Sequence, residues 1–192
     1  MFQSDAIALT SSPSASVAGV DPSGLSIERL GSDHRDVVEA LLLALDAESR
    51  KSRFGSVTCD AGIRSHALRA SNQATMLLGA FTGKRLCGLL EAYACNAGDV
   101  EVALAVESGL RRQGIGWSLL RAAIGQGALT GMARLQLIFA ADNWAMRRIA
   151  QKAEARLDLV FGQMCANIDL YCDPETDVSL IEWVTARELL GN

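Results

Sequence analysis

The segment Arg111-Arg112-Gln113-Gly114-Ile115-Gly116 joins an alternating apolar stretch, residues 100–106, to a helical pattern that begins near Trp117. The order is therefore strand, basic glycine-rich loop, helix. Two glycines two residues apart let the backbone turn tightly and approach a ligand, and the first N–H groups of the helix lack a partner inside the helix. Because two arginines precede the turn, the pattern predicts a site for a phosphate or diphosphate group.

Two well-known phosphate loops fit this segment poorly. A P-loop needs Lys followed by Ser or Thr after its last glycine, whereas Gly116 is followed by Trp117 and Ser118. A dinucleotide fingerprint needs Gly or Ala three residues after Gly116, and that position is Leu119. A basic turn that binds nothing would explain the six residues alone, but the neighbouring segments argue against it.

The pattern Arg111-x-x-Gly114-x-Gly116 resembles the acyl-CoA pyrophosphate loop, Gln/Arg-x-x-Gly-x-Gly/Ala, of the GNAT superfamily of N-acetyltransferases. The context is also similar, since a strand precedes the loop, and a helix, a strand over residues 134–140 and an Asn143-led helix follow it. The resemblance covers roughly residues 25–172. It implies an α/β (α+β) fold with a mixed, mostly antiparallel sheet of about six or seven strands, about four flanking helices and a C-terminal helix.

The resemblance also implies a reaction and a binding site. Acetyl would pass from acetyl-CoA to a primary amine by direct attack in a ternary complex, without a metal. Backbone N–H groups near Ala105 and Val106 are the expected oxyanion donors, because in the family this strand splays from the next one. The residues expected to contact acetyl-CoA are Leu104, Ala105, Val106, Arg111, Arg112, Gln113, Gly114, Ile115, Gly116, Trp117 and Asn143.

Glu101 is the candidate catalytic base. In the strand over residues 100–106 the bulky side chains share one face, and Glu101, Ala103 and Ala105 share the other, which leaves room for a pantetheine arm and an amine. Some GNAT enzymes have a general-base glutamate near the start of this strand, and Glu101 matches that position to within one residue of loop length. The alternative is a solvated residue at the end of the strand.

Two departures from the family pattern keep a second function open. Many relatives have a Tyr general acid seven residues after the Asn, where this chain has Ala150, and Glu154-Ala155 replaces a usual Gly-Phe pair. A non-catalytic acyl-CoA-binding sensor or scaffold is therefore the alternative to an enzyme. The charged residues 48–54 and Asn143-x-x-Met146 loosely resemble bacterial protein-lysine acetyltransferases, so a protein lysine is one candidate acceptor.

Composition excludes several other classes of protein. The chain has 192 residues, a formal net charge of −4 and an isoelectric point of about 5.2, whereas nucleic-acid-binding domains carry a basic excess. Its longest purely apolar run, residues 40–45, is too short to cross a bilayer, and residues 1–20 lack Lys and Arg. We therefore expect a cytoplasmic protein with no nucleic-acid or membrane partner.

The cysteines and histidines do not indicate a metal or thiol site. The five cysteines are an odd number without a Cys-x-x-Cys pair, so we expect buried free thiols rather than disulfides or zinc ligands. His34 and His66 lie in helical patterns without an obvious cysteine partner, and we expect ordinary surface or helix-end residues.

Local patterns predict the remaining elements and the domain limits. Residues 1–24 form a flexible extension, residues 25–172 the domain, and residues 173–192 a helical segment that Trp183 docks on the domain or on a second copy in a homodimer. Ser32 or Asp33 caps a helix that runs to residue 54, and a second helix lies around residues 61–70. Strands are predicted over residues 25–30, 74–81, 86–93, 156–161 and 164–171, with a hairpin turn at 82–85.

Overall fold

The computed structural model describes residues 24–95 and 98–170, and its strands form a single sheet. The strands are β1 (Leu25–Arg29), β2 (Met76–Thr82), β3 (Arg85–Ala94), β4 (Asp99–Val106), β5 (Arg134–Ala140), β6 (Arg156–Val160) and β7 (Gln163–Asp169). The helices are α1 (Arg35–Leu43), α2 (Ala47–Phe54), α3 (Asp60–Gln73), α4 (Ile115–Leu129) and α5 (Trp144–Lys152).

The sheet is mixed and mostly antiparallel, as predicted. Its strand order is β1-β2-β3-β4-β5-β7-β6, and β4 and β5 are the parallel neighbours among the described strands. Apolar residues of α4 and α5 pack on one face of the sheet, where Leu119 and Leu120 are fully buried. Apolar residues of α1 and α3, including Leu42 and Ile63, pack on the other face. The sheet therefore has a helical layer on each side.

The predicted helix up to residue 54 is wrong in two respects. First, it is two helices, because the Asp46 carboxylate accepts a 2.7 Å hydrogen bond from the Ser49 backbone N–H and begins α2 as its N-cap. Second, neither Ser32 nor Asp33 caps α1, since a short 3₁₀ turn over Ser32–His34 precedes that helix. The side chain of Asp33 instead hydrogen-bonds the His34 ring at 2.8 Å.

Two of the sequence predictions concern the ends of the chain. Apart from Gly24, the extension over residues 1–24 and the helical segment over 173–192 lie outside the described residues. No helix of the described part is long and apolar enough to cross a bilayer, and no group of three or more potential ligands there could hold a metal ion.

The prediction of buried thiols holds for Cys87 but is wrong for Cys59 and Cys95, which are exposed beside the ends of α3 and β3.

Gly88 on β3 allows the first turns of α4 to lie close to the sheet. A Cβ atom at this position would lie 2.8 Å from Ile115 Cγ2 and 3.1 Å from Leu119 Cδ1. Both side chains are buried in the core, so neither can move aside cheaply. The missing side chain therefore sets the distance between β3 and the start of α4.

We predict that Gly88→Ala lowers the free energy of unfolding by about 1–3 kcal/mol, because the added methyl group overpacks this contact. Gly125→Ala is the matched control, since a Cβ atom there meets no atom of the described residues within 4 Å. It should raise the free energy of unfolding by about 0.5–1 kcal/mol, because alanine favours the helix. Urea denaturation measures both, and equal effects of the two variants would contradict this packing account.

Candidate active site

Strands β4 and β5 pair over a short distance and then separate. Their paired residues are Asp99 with Arg134, Val100 with Leu135, and Glu101 with Gln136. Beyond Glu101, β4 continues beside β3 alone, and β5 continues beside β7 alone. The facing edges of the two strands thus open into a gap in which neither has a strand partner among the described residues.

The hydrogen-bond pattern of β4 shows which backbone groups face this gap. The N–H of Glu107 donates to the Cys87 carbonyl at 3.0 Å, and the N–H of Cys95 donates to the Asp99 carbonyl at 3.1 Å. Since antiparallel pairing alternates, the odd-numbered residues of β4 bond to β3 and the even-numbered ones face β5. The N–H groups of Leu104 and Val106 therefore point into the gap, whereas that of Ala105 points towards β3. The expectation of an oxyanion donor at Ala105 is wrong for this reason, and the one at Val106 stays a prediction.

The glycine-rich loop ends at an open helix N-terminus. Gly114 is the N-cap of α4 and has a φ of 86°, in the left-handed region that glycine adopts without strain. No side chain of the described residues caps the helix, and its first turn carries no acidic residue. A Cβ atom at Gly114 would meet no described atom within 4 Å, so the loop is open to a ligand. These N–H groups and the helix dipole favour an anion.

The two arginines of the loop have different surroundings. Arg112 is exposed, and no hydrogen bond or ion pair joins it to another described residue. Its φ of 63° is uncommon for a residue with a side chain. Arg111 instead donates a hydrogen bond to Ser49 Oγ on α2 and lies 3.7 Å from Asp46 Oδ2. Arg112 is therefore available to a ligand, whereas Arg111 rests on α2.

Asn143 already uses both ends of its side-chain amide. Its oxygen accepts a 3.1 Å hydrogen bond from the Met146 N–H and so caps α5, and its Nδ2 donates to Ser52 Oγ at 3.1 Å. Contact between Asn143 and acetyl-CoA stays a prediction, and it would need at least one of these bonds to be exchanged. Ser52 lies one turn beyond Ser49, so Asn143 and Arg111 meet the same side of α2.

Two other predicted contact residues lie in the first turn of α4. The Ile115 side chain is buried, so this residue can offer a ligand only its backbone N–H. The Trp117 ring is partly exposed, and the Lys152 ammonium lies 4.6 Å from its centroid, within cation–π distance.

Glu101 lies at the base of the gap. It is the last residue of β4 that pairs with β5, and its side chain is exposed. Its pairing partner on β3 is Tyr93. It shares a face of β4 with Ala103 and Ala105, whose small side chains leave space along the strand. A carboxylate at this position can reach solvent and a group held in the gap.

Comparison with known families agrees with this arrangement of strand, loop and helix. The sequence matches the model of the acetyltransferase (GNAT) family over residues 40–154, more than half of the chain. The protein belongs to the GNAT family of acetyltransferases. Members are acetyl-CoA-dependent N-acetyltransferases, so acetyl-CoA is the acetyl donor of this GNAT enzyme. None of the curated proteins compared with the chain matches it.

Solved structures share the fold of this GNAT enzyme at low sequence identity. The GNAT domain of S. lividans PAT is 17% identical, with a TM-score of 0.68 over 76% of this chain and 90% of its own. The PaiA N-acetyltransferase of Thermoplasma acidophilum, solved with coenzyme A, is 17% identical, with a TM-score of 0.59 over 76% and 98%. The yncA protein of Salmonella typhimurium, solved with acetyl-CoA, is 12% identical, with a TM-score of 0.59 over 81% and 99%.

The GNAT enzyme also contains a buried charged cluster that the sequence analysis missed. Glu91, in the middle of β3, is fully buried, and its Oε1 lies 2.7 Å from an Arg53 guanidinium nitrogen of α2. Its Oε2 lies 2.6 Å from His66 Nε2 of α3 and accepts a 2.8 Å hydrogen bond from the Tyr93 hydroxyl. The expectation that His66 is an ordinary residue is therefore wrong. A lone glutamate within an apolar strand was the available signal.

The cluster keeps Glu91 ionised and makes it a poor base. Burial by itself raises the pKa of Glu91, but the Arg53 charge and the His66 hydrogen bond outweigh burial and lower this pKa to about 2. Burial and the neighbouring Glu91 charge raise the pKa of Tyr93, so its hydroxyl stays a neutral donor. Glu91 therefore anchors α2 and α3 to the sheet, and Glu101 remains the carboxylate available to a substrate.

We predict that Glu91 makes the stability of the enzyme sensitive to acid. Because the folded-state pKa of Glu91, about 2, lies below its ordinary value of 4.5, its stabilisation is complete above pH 4.5 and is lost as the pH falls towards 2. Glu91→Gln should lower the free energy of unfolding at neutral pH by about 3–5 kcal/mol, since it leaves Arg53 buried without a counter-charge. It should also flatten the decline below pH 4.5.

Urea denaturation between pH 3 and pH 7 measures this dependence. Glu101→Gln is the control, because it removes an exposed carboxylate that takes no part in the buried cluster. Parallel slopes for the wild type and Glu91→Gln would show that Glu91 is not the group responsible.

Proposed function

We propose that this enzyme transfers acetyl from acetyl-CoA directly to a primary amine bound beside Glu101. The observation that carries the proposal is the gap between β4 and β5, which opens at Glu101 and continues towards the glycine-rich loop. The gap offers unpaired backbone donors at its edge, a carboxylate at its base and an anion site near its end. A ternary complex needs these three features next to one another, because the amine must reach both the base and the bound thioester.

The loop and strand residues fit the chemistry of acetyl-CoA. Arg112, the loop N–H groups and the uncapped first turn of α4 would hold the diphosphate, together with Arg111 once it leaves α2. The carbonyl groups of Leu104 and Val106 that face the gap would accept hydrogen bonds from the amide groups of the pantetheine arm, as a neighbouring strand would.

Glu101 would move the proton in this reaction. Acetyl-CoA supplies an activated thioester, but an alkyl ammonium with a pKa near 10.4 must first lose a proton, at a cost of roughly 4–5 kcal/mol at neutral pH. A carboxylate oxygen of Glu101 takes that proton, directly or through a water molecule. The N–H groups of Leu104 and Val106 stabilise the negative charge that develops on the carbonyl oxygen.

The position of the usual general acid is occupied by Ala150, whose side chain cannot donate a proton. Ala150 is fully buried, and the Tyr93 hydroxyl donates to Glu91. We propose that the leaving thiolate takes its proton from water. The same observation favours the second candidate function, an acyl-CoA-binding sensor or scaffold without turnover.

The acceptor, the assembly and the location remain proposals. A protein lysine is the proposed acceptor, supported by the resemblance of residues 48–54 and of Asn143-x-x-Met146 to protein-lysine acetyltransferases. A homodimer through residues 173–192 and a cytoplasmic location remain predictions from the sequence.

We predict that Glu101→Gln keeps the acetyl-CoA dissociation constant within about twofold but lowers kcat by about 10²–10⁴, because the base is lost and the loop is intact. Calorimetry measures binding, and release of the CoA thiol measures turnover with a lysine peptide, a peptide with a free N-terminus and spermidine. The control is Glu28→Gln, which neutralises a glutamate on the edge strand β1.

Undiminished turnover by Glu101→Gln would rule out Glu101 as the base. If the wild type binds acetyl-CoA yet acetylates none of these amines, the sensor or scaffold function is favoured.

A further inference from the structure

Helix α2 accepts hydrogen bonds from two of the side chains that are expected to contact acetyl-CoA. Arg111 donates to Ser49 Oγ and Asn143 donates to Ser52 Oγ, and the two serines lie one turn apart. Half of the residues of this helix are exposed, and Ser49 is its buried residue. Polar contacts, rather than an apolar face, therefore hold the exposed side of α2 against the loop and the start of α5.

Arg111 meets a prepared acceptor at the N-terminus of α2. Asp46 Oδ1 accepts hydrogen bonds from the Ser49 N–H at 2.7 Å and from Ser49 Oγ at 2.6 Å, which leaves its Oδ2 free to face Arg111 at 3.7 Å. The hydroxyl of Ser49 gives its proton to Asp46 and uses its lone pair to accept from Arg111. Hydrogen bonds from Ser49 lower the pKa of Asp46, so the carboxylate is charged at neutral pH.

The Arg111 guanidinium is also expected to bind the diphosphate of acetyl-CoA. An arginine fork forms its strongest contacts with carboxylate or phosphate oxygens, and a diphosphate at the loop would draw Arg111 away from Asp46. The resting contact and the bound state are thus alternatives for one side chain.

We propose that Asp46 and Ser49 form a resting site for Arg111, which Arg111 leaves when acetyl-CoA binds, so that these two residues lower the affinity of the enzyme for acetyl-CoA. The inference rests on the proposed role of the loop as the diphosphate site. Contacts of Arg53 with Glu91, and of Arg50 with Asp60 and the Leu43 and Leu45 carbonyls, hold α2 in place, so the exchange involves the Arg111 side chain alone.

Three variants separate the effect of the hydrogen bond between Arg111 and Ser49 from the effect of the Asp46 charge. Asp46→Asn removes the charge but keeps a good N-cap, and it should tighten acetyl-CoA binding about fivefold, the scale of one exposed ion pair. Ser49→Ala removes the hydrogen bond and keeps the charge, and it should tighten binding about twofold to threefold. Asp60→Asn is the control, since it neutralises an exposed carboxylate that pairs with Arg50, and it should change nothing.

A double-mutant cycle with Arg111→Ala decides between exchange and general repulsion. Arg111→Ala alone should weaken acetyl-CoA binding, and adding Asp46→Asn to it should have little further effect, because no side chain remains to be released. Calorimetry at low ionic strength measures the four dissociation constants, and thermal unfolding shows whether each variant is folded. A merely structural role for Asp46 would lower stability without tightening binding.

Unchanged or weaker acetyl-CoA binding by Asp46→Asn would overturn the resting-site inference. An equal gain in acetyl-CoA affinity from Asp46→Asn with and without Arg111 would overturn it too, because it would show that Asp46 simply repels the diphosphate. Both results leave the proposed function intact if Arg111→Ala still weakens binding. Absence of acetyl-CoA binding by the wild type would instead overturn the proposed function, and the inference with it.

Discussion

The backbone groups of β4 that face β5 need hydrogen-bond partners beyond Glu101, and β5 does not supply them. It bonds to β7 along its full length and leaves β4 after three residue pairs. Unpaired N–H and carbonyl groups at a sheet edge are costly when they are shielded from water, so a ligand with amide groups gains from filling the place of the absent strand. The position of the site thus follows from where two parallel strands separate.

Two ion pairs at opposite ends of α2 differ in burial. Glu91 is buried with Arg53 and His66 and fixes one end of the helix, whereas Asp46 is exposed and meets Arg111 at the other end. Burial makes the first contact strong and permanent, because breaking it would strand a charge in the core. Exposure makes the second contact weak and exchangeable. One short helix therefore carries an anchor for the fold and a contact that a ligand can replace.

Periodic patterns predicted most of the sheet, and side-chain contacts explain what they missed. The strand over residues 134–140 and the hairpin between β2 and β3 agree with the structure, since alternation and turn residues are local signals. The break before α2 depends on one cap at Asp46 inside a continuous helical pattern, and the Glu91 cluster depends on how two helices dock on β3. The gap itself was implied only by the resemblance, because alternation is the same whether or not a strand edge is paired.

Thermal unfolding with acetyl-CoA, CoA, NADH and ATP side by side tests whether the loop and the gap form a CoA site. A ligand at 100 times its dissociation constant adds about 2.7 kcal/mol to the free energy of unfolding, which is easily seen as a higher melting temperature. We expect stabilisation by acetyl-CoA and CoA and none by NADH or ATP. No shift with either CoA compound, or a larger shift with NADH, would contradict this expectation.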